Sequence, residues 1–314
     1  MKITVLDAAT LGADLDLSFL SELGEVTVYQ STAPDKVSEN LGDCEVTVIN
    51  KVKLGAYNLS TNTSLKLICI AATGYDNVDV EYCRSKGIGV CNVIGYSSDS
   101  VAQFTLASAL SLATNLTPFC DHVFSGEYTR SGIHNCLTPV FHEVAGMTWG
   151  IVGLGNIGKA VARVASALGC RVIAHKRSPD PDYECVSMDD LCRRSDIISL
   201  HTPLNDGTRG IISRERIQLM KKNVILINAA RGAVVDEDAV TDAVINEDIA
   251  GFASDVYSVE PLQPTSPFNR LLGKKNVILT PHMAWGSYES RVRCLKEICK
   301  NINAFFSGEP RNLL

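Results

Sequence analysis

A glycine-rich turn between an apolar strand and a helix constrains the fold of this chain more than any other segment. The run TWGIVG from Thr148 predicts a buried strand, and GLGNIG at 153–158 leads into a helix over about 156–168. Gly153 permits a tight turn, Gly155 lets the backbone approach a pyrophosphate, and Gly158 allows the helix to pack on the strand. A pyrophosphate would bind the N–H groups at the start of the helix. The segment therefore predicts a dinucleotide-binding α/β domain.

Short apolar runs alternate with helical patterns along the rest of the chain. Runs rich in Val and Ile and bounded by Gly, Asn or Asp predict five early strands at Lys2–Asp7, Val26–Tyr29, Val46–Asn50, Lys66–Ala72 and Gly89–Val93. A second series predicts six more strands at TWGIVG, RVIAHK, DIISLH, VILINAA, AGFASDV and NVILTPH. This alternation predicts an α/β chain with two doubly wound parallel-sheet domains.

The length of 314 residues also fits about two domains. We place the boundary near Tyr96–Val101, and we expect the long helix at Tyr288–Phe306 to return to the first domain. Residues 1–98 and 286–314 then form one domain, and residues 99–285 form the dinucleotide-binding domain.

Charge and hydropathy argue against nucleic-acid and membrane partners. The net charge is −6, which does not favour binding to nucleic acid or to anionic membranes. Ser100–Cys120 carries no charge, but its many polar side chains favour a buried helix over a membrane span. Asp7 interrupts the apolar N-terminal stretch, which argues against a signal peptide. We therefore expect a cytoplasmic protein.

The eleven cysteines do not form a recognisable framework. None of them makes a CxxC pair, and the odd count includes thiols in apolar runs, such as Cys69 in LICIAA. We expect reduced, mostly buried cysteines and no metal site.

The strand after the glycine-rich helix ends in an unusual way. A dinucleotide-binding domain normally carries Asp or Glu there, and the carboxylate binds the adenosine ribose hydroxyls. Here RVIA is followed by His175, Lys176 and Arg177. Cations at this position favour the 2′-phosphate of NADP. A solvated basic strand end beside NAD is the alternative, so both cofactors stay open.

Three further strand ends carry residues suited to reducing a 2-keto acid. Arg231 follows VILINAA, Glu260 lies in the segment DVYSVEP, and His282 follows the final strand. The carboxyl ends of parallel strands meet at one edge, where ligands bind. His282 is suited to donate a proton, Glu260 to orient its ring, and Arg231 to hold a carboxylate. Each residue alone has a structural alternative, namely a surface ion pair, a solvated carboxylate or a structural histidine.

These segments resemble the D-isomer-specific 2-hydroxyacid dehydrogenase family over nearly the whole chain. The most specific pieces are GIVGLGNIGKAVARVASALG, HTPL, NAARG, DVYSVEP and TPHMAW. The resemblance implies a flavodoxin-like substrate domain, a Rossmann cofactor domain and an active site in the cleft. It also implies Arg231, Glu260 and His282 as the catalytic triad, and a homodimer built on the cofactor domains.

The N-terminal part is similar to the glycerate dehydrogenase/hydroxypyruvate reductase branch of that family. The segments AATGYDNVD, GIGVCNVIGYSSDSVAQFTLA and FFSGEPRNLL carry this similarity. It implies that Lys51, Val52 and Gly74 bind the substrate carboxylate, largely through backbone N–H groups, together with Arg231 and His282.

The same resemblance implies a set of cofactor-binding positions around the turn and the strand ends. They are Thr105, Gly153, Gly155, Asn156, Ile157, Gly158, His175, Lys176, Arg177, His201, Thr202, Pro203, Ala229, Arg231, Asp255 and His282. For Thr105, a buried helix residue is the alternative. Two departures stand out, since Lys176 replaces the ribose-binding carboxylate and Gln103-Phe104 stands where many members have Glu-His.

The resulting functional hypothesis is NAD(P)H-dependent reduction of a small 2-keto acid, with hydroxypyruvate to D-glycerate as the leading reaction. A D-lactate dehydrogenase and a glyoxylate reductase are alternatives. A dinucleotide-sensing protein that resembles the family's corepressors is an alternative of another class. A methyltransferase with the same glycine motif would leave Arg231, Glu260 and His282 unexplained.

Overall fold

The computed structural model describes all residues from Met1 to Leu314. The chain divides into two compact units, one of residues 1–97 with 285–314 and the other of residues 98–284. Each unit is built on a single sheet in which all strands are parallel, with five strands in the first and seven in the second. This confirms the predicted α/β class with two doubly wound sheets.

The five strands of the first unit match those predicted from the sequence, four of them with shorter ends and the second shifted by one residue. They are β1 (Lys2–Val5), β2 (Glu25–Val28), β3 (Val46–Ile49), β4 (Leu67–Ile70) and β5 (Gly89–Cys91). The helices among them are α1 (Ser18–Ser21), α2 (Val37–Leu41), α3 (Ala56–Leu59) and α4 (Val80–Ser85). The sheet order is β2-β1-β3-β4-β5, which is the flavodoxin-like order.

Both faces of the first sheet are covered by apolar side chains. The central strands β3 and β4 are buried along their whole length, because each face packs against a separate apolar cluster. The C-terminal helix, Tyr288–Phe306, packs on β4 and contributes Leu295, Ile298 and Ile302 to one of these clusters. The tail of the chain thus belongs to the first unit.

The second unit begins with helices and continues as a doubly wound sheet. Its helices are α5 (Ser98–Ala113), α6 (Leu116–Phe124), α7 (Glu127–Ser131), α8 (Asn156–Ala167), α9 (Met188–Arg194), α10 (Arg214–Gln218) and α11 (Glu237–Ile245). Its strands are β6 (Thr148–Val152), β7 (Arg171–His175), β8 (Glu184–Cys185), β9 (Ile197–Leu200), β10 (Ile225–Asn228), β11 (Gly251–Ser254) and β12 (Val277–Leu279). No helix in the structure has both the length and the apolar character needed to cross a membrane.

The order of the second sheet is β12-β11-β10-β9-β6-β7-β8. The sequence predicted six of these strands and missed β8, because two residues give no alternating pattern. The order reverses at β6, whose neighbours are β7 and β9. Ligands of doubly wound sheets bind at the carboxyl ends of the strands at such a switch point.

Candidate active site

The glycine-rich turn follows β6 and opens α8 at the switch point. Gly153 has φ of +93°, and a Cβ on Gly158 would lie 2.2 Å from the carbonyl oxygen of Gly153. A Cβ on Gly155 would meet no atom within 4 Å, so this glycine leaves open space at the N-terminus of α8. Asn156 and Ile157 form the first helical positions there. The turn thus fits the pyrophosphate of a dinucleotide, since the free N–H groups of the helix point to open space.

His201 follows β9, next to the turn. Its backbone N–H donates to Val152, and its carbonyl lies close to Gly153. Both ring nitrogens are buried without a hydrogen-bond partner, and burial lowers the pKa of the ring to about 3. A neutral ring with buried, unpaired polar atoms is costly unless a ligand satisfies them. His201 and the adjoining Thr202 and Pro203 therefore fit a position at the cofactor.

A carboxylate that the sequence pattern did not indicate lies beside the basic end of β7. The Lys176 ammonium lies 3.1 Å from Asp180 Oδ2, and the Lys159 ammonium lies 3.0 Å from the same atom. The His175 ring contacts the carbonyl of Val186, and Arg177 is exposed. Lys176 therefore does not stand as an isolated cation, because the chain folds back after the strand and brings Asp180 to it.

The turn after β10 positions Arg231. The buried side chain of Asn228 accepts a hydrogen bond from the N–H of Ala230 and donates one to the carbonyl of Arg231. Arg231 Nη1 in turn donates to the carbonyl of Ala230. Ala229 lies half-buried within this turn. The sequence predicted Arg231 but gave Asn228 no role, although its amide shapes the turn.

Glu260 and His282 form a direct pair. Glu260 Oε2 lies 2.7 Å from His282 Nδ1, and Glu260 Oε1 accepts a hydrogen bond from the N–H of Tyr257. His282 has φ of +53°, which is uncommon for a residue other than glycine and marks a backbone held by its surroundings. The pair fixes the ring through Nδ1, so proton transfer to a ligand would use Nε2.

Gly232 allows the Arg231 turn to pack against the loop that carries Glu260. A Cβ at Gly232 would lie 1.9 Å from the Tyr257 carbonyl carbon and 2.1 Å from the Ser258 nitrogen. Glu237, in the first turn of α11, accepts a hydrogen bond from the N–H of Ser258 and holds the loop from its other side. Arg231, Glu260 and His282 therefore come from three strand ends that are in contact.

Asp255 is a structural anchor for the segment that carries His282. Its carboxylate accepts hydrogen bonds from the Thr280 hydroxyl and from the N–H groups of Met283 and Ala284. Burial raises the pKa of Asp255, which is 1% exposed. These contacts hold the 280–284 loop, a role that the sequence did not indicate, and the assignment of Asp255 to the cofactor stays a prediction.

Thr105 lies inside α5, where its fully buried hydroxyl donates to the carbonyl of Val101. This is the buried helix residue that the sequence left open as an alternative.

The first unit gives the backbone N–H groups of Lys51 and Val52 a partner within the chain, and their use in substrate binding stays a prediction. Their backbone N–H groups donate to Asp7 Oδ2, at 2.6 Å and 3.0 Å, and Asp7 also accepts from the N–H of Asn50. The two donors predicted for a substrate carboxylate are thus bound to the protein's own carboxylate at the end of β1. Gly74 lies in the loop after β4, where the Thr73 hydroxyl donates to Val93, and its role stays a prediction.

The comparisons with known proteins identify the family of this chain. The model of the D-isomer specific 2-hydroxyacid dehydrogenase NAD-binding domain matches residues 106–284. The chain belongs to the D-isomer specific 2-hydroxyacid dehydrogenase family. Hydroxypyruvate reductase of Blautia hydrogenotrophica is 35% identical to it over 323 aligned positions, which cover 100% of this chain and 99% of the relative.

A second relative and a solved structure are also similar to this chain over its whole length. Glycerate dehydrogenase of Methylorubrum extorquens is 34% identical, and the alignment covers 100% of this chain and 98% of the relative. An acyclic imino acid reductase in complex with NADPH and D-Arg has a TM-score of 0.87 at 27% identity, with both chains fully covered. This 2-hydroxyacid dehydrogenase is therefore an oxidoreductase with an NAD(P)-binding domain, and the comparisons do not determine which dinucleotide it prefers.

Proposed function

We propose that this dehydrogenase reduces hydroxypyruvate to D-glycerate with NADH or NADPH. The observation that carries the proposal is the Glu260–His282 pair at 2.7 Å, on a loop in contact with the Arg231 turn. A proton donor, a residue that orients it and a guanidinium for a carboxylate are the groups that reduction of a 2-keto acid needs. The relatives named hydroxypyruvate reductase and glycerate dehydrogenase support this substrate.

The chain's own residues divide the remaining chemistry between them. The nicotinamide cofactor, when bound, supplies a hydride to C2 of the keto acid. His282 Nε2 donates the proton that the C2 oxygen takes up, so the ketone becomes a hydroxyl. Glu260 accepts the hydrogen bond from Nδ1, which keeps the ring oriented with Nε2 towards a ligand. Arg231 polarises the carbonyl and pairs with the substrate carboxylate, because its planar fork suits both oxygens.

A steady-state assay of the purified protein tests the substrate. We expect rapid oxidation of NADH or NADPH with hydroxypyruvate, and slower oxidation with glyoxylate and with pyruvate. The same protein without a keto acid is the control. Faster turnover of glyoxylate or pyruvate would contradict the proposal and identify that acid as the preferred substrate of the three. Tight dinucleotide binding without turnover of any of the three acids would favour the sensing role instead.

We also propose that the protein is a homodimer formed by the second unit. Several large apolar side chains in α6 and in the segment between α7 and β6 are at least half exposed, namely Leu116, Val123, Phe124, Ile133, Leu137 and Val140. Exposed apolar side chains in this number are typical of a protein interface. A second copy is the expected partner, since the family resemblance implies a dimer. A cytoplasmic location stays a prediction.

Replacing Phe124 with glutamate tests this interface. Phe124 is 84% exposed, so a charge there should not disturb the fold of one chain, but it would be buried unpaired in a dimer. We expect the wild type to sediment as a dimer and Phe124→Glu to dissociate at concentrations where the wild type does not. Leu272 is also an exposed apolar residue of the same unit but lies outside this surface, so Leu272→Glu should remain dimeric. A monomeric wild type would contradict the proposal.

A further inference from the structure

A carboxylate between two lysines lies beside the predicted dinucleotide site. Asp180 Oδ2 is within 3.0 Å of the Lys159 ammonium and 3.1 Å of the Lys176 ammonium, while Asp180 Oδ1 accepts a hydrogen bond from the N–H of Asp182. The Asp180 side chain is only 2% exposed, whereas Lys159 and Lys176 are 47% and 23% exposed. Both lysine side chains are therefore partly accessible to a ligand, and the carboxylate that neutralises one of their charges is not.

The position of these residues relates them to the adenosine end of a dinucleotide. Lys159 is in the first turn of α8, directly after Gly158, and Lys176 directly follows β7. In a doubly wound domain the pyrophosphate lies at the first of these places, and the adenosine ribose lies at the end of the second strand. A phosphate on the ribose 2′-oxygen would come closest to Lys176 and Arg177.

The carboxylate and a 2′-phosphate would compete for the same ammonium group. Each is an anion that a lysine binds through a charge-assisted hydrogen bond. With Asp180 ionised, the three groups carry a net charge of +1, and removal of the carboxylate charge would raise it to +2. Lys159 lowers the pKa of Asp180 to about 2, so the carboxylate is ionised at neutral pH.

Asp180 is not arranged to bind the ribose hydroxyls directly. Both of its oxygens already have partners within the chain, and almost none of the side chain reaches solvent. It therefore differs from the strand-end carboxylate that binds the ribose in many such domains, and it acts on a ligand only through the lysines.

We propose that Asp180 sets the dinucleotide preference of this enzyme by holding Lys176 and so weakening the binding of the 2′-phosphate of NADPH. It is a positioning and specificity-determining residue, and the inference rests on the proposed NAD(P)-dependent function. The consequence is an enzyme that accepts both dinucleotides, although the end of β7 carries two cations and no acidic residue.

Dissociation constants of NADPH and NADH, measured by fluorescence titration, test the proposal without any turnover. In Asp180→Asn we expect NADPH to bind about tenfold more tightly, because one charge-assisted contact is released to the phosphate. NADH should change by less than about twofold, since its ribose carries no phosphate. Adenosine 2′,5′-bisphosphate and adenosine 5′-monophosphate, titrated in the same way, should reproduce the difference.

Two comparison variants make the result specific. Asp242→Asn removes another carboxylate between two cations, Arg214 and Arg270, on α11 of the same unit, and it should leave both dissociation constants unchanged. Lys176→Met lowers the local charge to zero, so it should weaken NADPH binding about tenfold and spare NADH. It also provides a test if Asp180→Asn does not fold, as judged by its thermal unfolding.

Three results would overturn the proposal. They are an unchanged ratio of the two dissociation constants in Asp180→Asn, an equal weakening of both, and a selective loss of NADPH binding. If the wild type bound neither dinucleotide, the proposed function would fail as well. If it bound both and reduced hydroxypyruvate while the ratio in Asp180→Asn did not move, only the role of Asp180 would fail.

Discussion

Replacing His282 with alanine should lower kcat for hydroxypyruvate reduction by about 10²–10⁴-fold, because the reaction loses the group that donates the proton. His282 is held by Glu260 at Nδ1, so alanine removes the donor and the partner of Glu260 together. Dinucleotide binding, measured by fluorescence titration, should change much less than kcat. The thermal unfolding midpoint should also stay close to that of the wild type, since the His282 ring is partly exposed.

His122→Ala is the matched control for this variant. His122 also lies beside a glutamate, with 3.4 Å between Nδ1 and Glu127 Oε2, but this pair is on α6 and α7, away from the strand ends. It should keep wild-type turnover. Full activity in His282→Ala would remove His282 from the mechanism and would leave Arg231 as the main candidate for polarising the carbonyl.

Gly232→Ala should have the second largest effect, although the change is a single methyl group. Its Cβ would lie 1.9 Å from a backbone atom of Tyr257, so the loop that carries Glu260 must move. A displacement of about 1 Å in a catalytic group can cost about 10²-fold in rate. We therefore expect kcat/KM to fall by about that factor, together with a loss of about 1–3 kcal/mol in the free energy of unfolding.

Gly207→Ala tests whether the effect belongs to the site. An added Cβ at Gly207 would make only an ordinary contact, at 3.4 Å from the Asn205 side chain. This variant should behave like the wild type in both turnover and thermal unfolding. Wild-type kcat/KM in Gly232→Ala would mean that the contact between the Arg231 turn and the Glu260 loop has no role in the reaction.

Much of the candidate site follows from local sequence. The glycine-rich turn and the strand ends can be predicted from short segments, because each consists of a run of apolar residues followed by a particular side chain. Arg231, Glu260 and His282 were found because parallel strands bring their carboxyl ends to one edge. The Glu260–His282 contact agrees with that expectation.

The features that the sequence analysis missed share a physical cause. The strand β8 cannot be predicted from a local pattern, because it has only two residues and is defined by its pairing with β7. The sequence did not indicate that the N–H groups of Lys51 and Val52 donate to Asp7, more than forty residues away, and their binding of substrate stays a prediction. The sequence also did not indicate that Asp255 holds the backbone at Met283 and Ala284, and its place at the cofactor stays a prediction.

The sequence by itself determined the class of fold, the glycine-rich turn and the identity of the residues at the strand ends. These depend on periodicity and on local backbone demands, which neighbouring residues impose. Only the tertiary structure decided which donors each carboxylate binds. Asp7 accepts a hydrogen bond from the N–H of Lys51, and Asp255 accepts one from the loop that carries His282. Asp180 pairs with the ammonium groups of Lys159 and Lys176. A buried carboxylate must find partners wherever packing brings them, and that choice depends on contacts between segments far apart in the chain.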